Sequence, residues 1–375
     1  MSQNIAILTQ PLKHNYGGML QAFALQRVLV SRGHRVVTID RQPDLLPLSN
    51  WKGYAIKKSI KNILGMDRPD PARFKNTLEF IGANIVTTEP VRSSSELKRI
   101  FLDNDFDTVV VGSDQTWRPK YSPNIYNYFL DFAADMPVRK LAYAASFGTD
   151  KWEFSPRQTR LCSNLAKRFD AISVRESSAV VLSREFLGVE STCVLDPTLL
   201  LAPEQYLSMA SVDTRISSGS TVKVFAFFLD RNIEKEKVWR SVAMALGEND
   251  GQDSKIWDLH YEKIGQKKVA VMPSVESWIR SFAEADYVMT DSFHGCVMAI
   301  IFQKPFVVFG NRVRGVARFD SLLGGLGLAR RLVPCDFENV MQIFRESIDW
   351  TSVWHDLAAQ REQSLDFLED GLIDG

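Results

Sequence analysis

Apolar residues along this chain fall in short runs separated by amphipathic stretches. Ile5–Leu8 is uniformly apolar, the mark of a strand covered on both faces. Asn15, Tyr16, Gly17 and Gly18 then read as a loop. Met19 to Ser31 follows with Leu20, Phe23, Ala24 and Val28 at helical spacing, and Gly33 stops it. Val36–Ile39 completes a strand–loop–helix–strand unit, the building block of parallel sheets.

The rhythm weakens over residues 41–105. Trp51 to Leu64, Arg73 to Phe80 and Ser95 to Phe101 read as helices, with Pro69 and Pro71 between them, so this stretch is expected to be an insertion. Strands return at Thr108–Val111, Lys140–Tyr143, Ala171–Val174 and Cys193–Leu195, with a helix over Ser178 to Phe186. A second set begins with a strand at Lys223–Leu229 and a helix over Glu234 to Leu246. A polar loop covers Gly247 to Ser254, and a helix spans Val275 to Ala285. Tyr287–Thr290 is a strand, Cys296 to Phe302 an apolar helix and Phe306–Phe309 a strand. From Trp350 the pattern is helical to near the end.

The pattern predicts an α/β protein of two domains in tandem, residues 1–200 and 201–345, with Pro197 and Pro203 bracketing the connection. A C-terminal helix lies within 346–375. Its apolar stripe suits packing on the first domain or on a second subunit, which leaves a homo-oligomer open.

Composition narrows the function. A chain of 375 residues, 45% hydrophobic and 24% charged, buries a sizeable core and is not disordered. Forty-five basic residues balance 45 acidic ones, which argues against nucleic acid or an anionic membrane as partner. No apolar run approaches the ~20 residues of a spanning helix, and the N-terminus lacks the pattern of a leader, so a cytoplasmic protein with no integral membrane segment is expected. Cys162, Cys193, Cys296 and Cys335 form no CxxC pair, and no HExxH, EF-hand, GxGxxG or Walker pattern occurs. Neither a metal nor a dinucleotide cofactor is expected.

In open parallel sheets ligands bind beyond the carboxyl ends of the strands. Those positions hold Asn15, Tyr16 and Gly17, then Asp114 and Gln115, Ser146, Arg175 and Glu176, the stretch Asp291 to Gly295, and Arg312, Arg314 and Arg318. If the two sheets face each other, all of them line one cleft.

Asp291 to Gly295 is the sharpest signal. Ser292 precedes an apolar helix, and His294 and Gly295 open it. A helix start offers free N–H groups and a positive dipole end that suit phosphate. His294 there suits a general acid. The plainer alternative is Ser292 as a cap and His294 as a satisfied polar residue. Arg175 reads as a guanidinium clamp for carboxylate or phosphate, or as a surface pair with Glu176. Of the cluster Arg312, Arg314, Arg318, Arg330 and Arg331, only Arg318, between Ala317 and Phe319, is expected to point inward. Asp114 and Gln115 suit sugar hydroxyls or capping. Trp117, Tyr121, Tyr126 and Tyr128 suit stacking on a sugar or core packing. His14 and His260 read as surface residues.

Taken in order, the pieces ILTQPLKHNYGGMLQAFALQ (ending at Gln26), VVVGSDQTW (109–117), YAASFG (143–148), ISVRES (172–177), VLDPTLLL (194–201), TDSFHG (290–295) and ARFDSLL (317–323) resemble the polysaccharide pyruvyl transferase family. The resemblance implies two Rossmann-like domains facing a central cleft, similar to type-B glycosyltransferases. It implies transfer of the pyruvyl group of phosphoenolpyruvate, a co-substrate rather than a cofactor, to a pair of sugar hydroxyls in a cell-surface polysaccharide or its precursor, lipid-linked or not. A cyclic ketal and phosphate result. It places a donor-binding or proton-donating role on His294 and a donor role on Arg175. Ser292, Gly295 and Arg318 then fall on the donor side, in the second domain. Asn15, Tyr16, Gly17, Asp114, Gln115 and Ser146 fall on the acceptor side, in the first. Two other readings remain: a nucleotide-sugar-dependent glycosyltransferase of the same architecture, and a non-catalytic glycan-binding protein.

Overall fold

The apolar runs form strands because each is covered on both faces: Ile5, Ala6, Ile7 and Leu8 have no exposed surface, nor do Val109, Val110 and Val111. The computed structural model describes residues 2–44, 70–211, 222–247, 251–264, 267–310 and 315–373.

The first sheet is built from β1 (Asn4–Leu8), β2 (Arg35–Ile39), β3 (Thr108–Val111), β4 (Arg139–Ala145), β5 (Ala171–Val174) and β6 (Thr192–Cys193). Its order is β2-β1-β3-β4-β5-β6 and every pairing is parallel. Helices α1 (Tyr16–Ser31), α2 (Lys75–Asn84), α3 (Ser94–Asp103), α4 (Pro156–Ala166) and α5 (Ser177–Leu182) accompany it, and α6 (Pro203–Ser211) leads to the second half.

That half repeats the plan. β7 (Val222–Phe227), α7 (Ile233–Leu246), β8 (Lys255–Ile256), a hairpin of β9 (His260–Ile264) and β10 (Lys267–Val271), α8 (Val275–Glu284), β11 (Ala285–Thr290), α9 (Phe293–Ile301), β12 (Phe306–Phe309), α10 (Ala317–Gly325), β13 (Leu332–Val333) and α11 (Phe337–Phe344) follow in order. The strands pair in parallel as β13-β12-β11-β7-β8. In both sheets the second strand lies outside the first and the third on its other side. The order therefore reverses between β1 and β3 and between β7 and β11, and a crevice opens at each switch point.

One apolar cluster runs through both halves, from Leu20 and Leu25 on α1 to Trp278 on α8 and Ile300 on α9. At the seam the Tyr16 ring stacks on Trp278 (5.4 Å between centroids) and its hydroxyl donates to the Pro273 carbonyl (2.8 Å). The hairpin and the residue after it are held to α2 by Asn76 to the Met272 carbonyl (2.7 Å) and by the Lys75–Glu262 ion pair. The last helix, α12 (Trp350–Leu372), returns to the first domain: Gln3 donates to the Leu372 carbonyl (2.6 Å), and Arg32 pairs with Glu369 (2.8 Å).

Two sequence expectations need correction. The glycine-bearing stretch 15–18 is not a loop: Asn15 is the residue before α1, and Tyr16, Gly17 and Gly18 form its first turn. Loop-like composition misled here because the glycines serve close packing, not a turn. Likewise α9 begins at Phe293, three residues before the apolar run expected to form it. The β9–β10 hairpin, whose residues alternate weakly, falls in a stretch for which the sequence raised no expectation. The Trp51 to Leu64 helix, Arg312 and Arg314, and the middle of the Gly247 to Ser254 loop lie outside the described residues. Among those described, no helix is long and apolar enough to cross a membrane, and all four cysteines are free thiols.

Candidate active site

The two switch points face each other, and the contact between them depends on glycine. A Cβ on Gly17 would come within 2.0 Å of His294 Nδ1, so the first turn of α1 lies flush against the imidazole. A second close approach brings Gly315 to the Gly148 carbonyl, where a Cβ would sit 2.0 Å from the oxygen. Both contacts join the first domain to the second.

On the first-domain side the strand ends carry a closed charge network. Arg175, after β5, donates to Asp196 Oδ2 (2.5 Å) and to Asp114 Oδ1 (2.8 Å). All three side chains are buried. Asp114 follows β3 with φ +68°, a left-handed conformation that Asp tolerates better than most residues. Asp196 Oδ1 accepts from the Thr198 hydroxyl (2.6 Å) and N–H (3.1 Å). Burial alone would raise both carboxyls. At Asp196 the charges of His294 and Arg175 and the Thr198 hydrogen bond outweigh it, and the group stays far below its ordinary value. At Asp114 the charges of Arg175, His294 and Arg318 do the same.

Glu176 is not the surface partner of Arg175. It is fully buried, 4.0 Å from the guanidinium. Its Oε1 accepts from Ser146 Oγ (2.9 Å) and the Gly148 N–H (3.0 Å). Its Oε2 is buried with no hydrogen-bond partner among the described residues. Burial pushes this carboxyl up, against the charges of Arg175 and Arg318.

On the second-domain side the groups are left open. His294 Nε2 lies 3.5 Å from Asp196 Oδ2 and is buried without a hydrogen bond among the described residues. Arg318 on α10 is 7% exposed, and its Nε has no partner among the described residues. Burial and the charge of Arg175 push it down to about 10. Arg175 and Arg318 both stand over the Phe293 ring, at 4.7 and 5.4 Å from its centroid. Ser292 caps α9 through the Gly295 N–H (3.2 Å), which leaves the other first-turn amides without an intrahelical partner. Asp291 ties the switch point together, accepting from the Leu229 and Asp230 N–H groups and from Lys235.

The structure therefore gathers His294, Arg175, Arg318, Asp114 and Gly17 into one centre, with Asn15 at its edge, 3.4 Å from Asp114 Oδ2. Other sequence candidates have different surroundings. Ser146 holds Glu176, Ser292 caps, and Tyr16 packs the seam. Gln115 accepts from Arg118 (3.1 Å), and its amide lies beneath Gly148. Gly295 sits so close to Thr290 that a Cβ would come within 2.4 Å of the hydroxyl. Trp117 and Tyr128 have no exposed surface and belong to the core, whereas Tyr121 is 39% exposed. Sequence reasoning gave no role to Asp196 or to Phe293, whose meaning depends on arginines from other elements. Among the described residues no group of His, Cys, Asp and Glu is placed to hold a metal ion.

Known proteins agree with this architecture. The M. jannaschii UDP-GlcNAc 2-epimerase superposes with a TM-score of 0.52 at 13% identity, over 92% of each chain. The N. meningitidis UDP-GlcNAc 2-epimerase bound to UDP-GlcNAc gives 0.52 at 12% identity, over 98% of each chain. S. aureus MnaA with UDP gives 0.50 at 14% identity, over 95% of this chain and 91% of that one. At such identities the likeness speaks for the fold: two Rossmann-like domains about a cleft, as in type-B glycosyltransferases and these epimerases. No curated protein sequence matches significantly. The family description "Polysaccharide pyruvyl transferase" matches residues 15–312, which takes in both switch points and His294. The chain belongs to the polysaccharide pyruvyl transferase family.

Proposed function

We propose that the protein transfers the carboxyethylidene group of phosphoenolpyruvate to two hydroxyls of a sugar in a cell-surface polysaccharide or its precursor, with release of phosphate. The observation that carries this reading is the pairing of a buried guanidinium, Arg318, with a buried imidazole, His294, beside a helix start, where Arg318 Nε and His294 Nε2 have no hydrogen-bond partner among the described residues. Phosphoenolpyruvate places a phosphate and a carboxylate on one small frame. The first-turn amides of α9 and Arg318 suit its anionic groups. Arg175 is engaged by two buried carboxylates, so its main task is to fix Asp114 and Asp196.

His294 Nε2 then delivers a proton to the methylene carbon, which becomes a methyl group, and the neighbouring carbon turns electrophilic. Asp196 sets a negative charge beside the ring during that step. One sugar hydroxyl adds to the electrophilic carbon, the carbon–oxygen bond to phosphate breaks, and the second hydroxyl closes the ketal. Of the two hydroxyl protons, one balances the proton given to the methyl group and the other leaves with phosphate. Asp114, next to Asn15, faces the acceptor side and suits contact with a hydroxyl.

The UDP ligands of the epimerases favour a nucleotide-sugar reading of the same fold, and one comparison separates the two. Phosphate release from phosphoenolpyruvate is measured with a pool of glycan precursors, for wild type and His294→Ala. The account expects release that falls at least ~100-fold in the variant, with the melting temperature kept. Turnover retained by the variant contradicts the role of His294, and a wild type that binds UDP-sugars but ignores phosphoenolpyruvate contradicts the reading.

A further inference from the structure

One buried acid takes no part in the transfer chemistry. Glu176 stands between β5 and α5, at the position where an acidic side chain often caps a helix, yet it makes no capping hydrogen bond and has no exposed surface. Its two oxygens have different surroundings. Oε1 accepts from Ser146 Oγ (2.9 Å) and from the Gly148 N–H (3.0 Å). Oε2 meets no donor among the described residues. Arg175 Nε lies 4.0 Å from it, too far for a hydrogen bond, and is itself without a hydrogen-bond partner among the described residues.

The charged groups that face this carboxyl are Arg175, from its own strand end, and Arg318, from α10 of the other domain. The Cys193 thiol of β6 lies near it and is pushed up by burial and by the charge of Glu176. Asp114 and Asp196 stand beyond Arg175. Glu176 is therefore neither a closed ion pair nor a fully hydrogen-bonded acid. Two cations favour its ionised form, and burial opposes them and prevails. Such a group changes protonation when the charge beside it changes. An oxyanion on Arg318 neutralises one of the two cations and brings like charge toward a buried carboxylate. A proton on Glu176 removes that conflict.

We propose that Glu176 is a proton-linked positioning residue of the donor site: it serves Arg318 as a counter-charge while the site is empty, and it takes up one proton when the donor's anionic groups arrive. The proposal rests on the reading of Arg318 as the donor's cation. The proton comes from solvent and settles on Oε2, the oxygen that has no donor. Oε1 keeps both of its hydrogen bonds, so the turn through Gly148 stays against Gly315 in either state. Release of phosphate frees Arg318, and the proton returns to solvent.

Calorimetry on the full chain tests this with two probes, phosphoenolpyruvate and sulfate, an oxyanion that does not titrate near neutral pH. Binding is measured between about pH 5.5 and 8.5 in buffers of different ionisation heat, with melting temperatures on the same samples. Wild-type affinity should fall as pH rises through the elevated value of Glu176, by up to about tenfold per pH unit. Glu176→Gln imitates the protonated acid. It should match wild type at the acid end, bind up to about tenfold more tightly at the alkaline end, and take up fewer protons. The difference in uptake between the two proteins isolates this carboxyl from His294 and from the donor's own titration. Ser146→Ala removes a hydrogen bond that favours the ionised form, so its affinity should begin to fall at higher pH. Equal proton uptake in wild type and Glu176→Gln overturns the proposal. So does an affinity that Glu176→Gln lowers by the same factor at every pH, the mark of a structural role. Sulfate binding with uptake that depends on Glu176, and no binding of phosphoenolpyruvate, keeps the proton-linked site and defeats the pyruvyl-transfer reading. Binding of neither anion overturns both.

Discussion

The carboxyl ends of the two sheets carry similar residue types and treat them in opposite ways. In the first domain Arg175 is clamped between Asp114 and Asp196, and Asp196 is held in turn by Thr198. In the second, Arg318 is equally buried but has no ion pair among the described residues, and His294 has only the 3.5 Å approach to Asp196. A buried charge in a closed network is fixed in place and has little left to offer a ligand. A buried charge without a partner is unfavourable in the empty protein, and a ligand of opposite sign relieves it. Under the proposed function, the first domain's network has the positioning role and the second domain's open groups would bind the donor.

Three experiments can break or sharpen that contrast. The largest effect is expected from Arg175→Ala, which leaves two buried carboxylates without their cation. Thermal or denaturant unfolding should show a loss of ~3–5 kcal/mol. Lysine should not restore it, because one ammonium cannot span both carboxylates as the guanidinium fork does. A loss under ~1 kcal/mol would mean that the network is not a scaffold.

Next is Gly17→Ala. Its Cβ needs the space held by His294, so the ring must move. Phosphate release should drop ~100-fold, the scale set by a 1 Å misplacement, with a smaller change in stability. An unchanged rate would separate the imidazole from the chemistry.

The third effect is smaller and depends on pH. Asp114 and Asp196 are held below their ordinary value, so their stabilisation is present above about pH 4 and is lost as pH falls toward their folded values. Glu176 has the opposite sign: its contribution is present below about pH 4 and is lost as pH rises through its elevated value. Unfolding midpoints from pH 3 to pH 7 should fall less steeply on the acid side in Asp196→Asn, and should decline less with rising pH in Glu176→Gln. Identical slopes in wild type and both variants would contradict the assigned directions.

Much of this was legible in the residues. Uniformly apolar strands such as Val109–Val111 have no amphipathic alternative, so their burial in parallel sheets followed directly. His294 and Arg318 stand out in the sequence because a strand end, a helix start and an arginine between apolar residues are local signals, and both are buried where the two domains meet. Asp196 does not, because its meaning depends on Arg175 and His294 arriving from different strands and a different domain. The Asn15–Gly18 stretch shows the same limit. Local composition reads as a loop, yet the glycines are explained by the imidazole that packs on Gly17 from the other domain. The β9–β10 hairpin escaped because its residues alternate weakly and its anchoring to α2 is tertiary.

The central claim is that the open cation of the second domain holds the donor. It is tested most directly by Arg318→Met, with phosphoenolpyruvate binding and melting temperature measured on the same samples. The account predicts that affinity falls at least ~10-fold while stability holds or rises, because an unpaired buried charge has been removed. Unchanged affinity together with a large loss of stability would contradict it, and would make Arg318 a structural residue like Arg175.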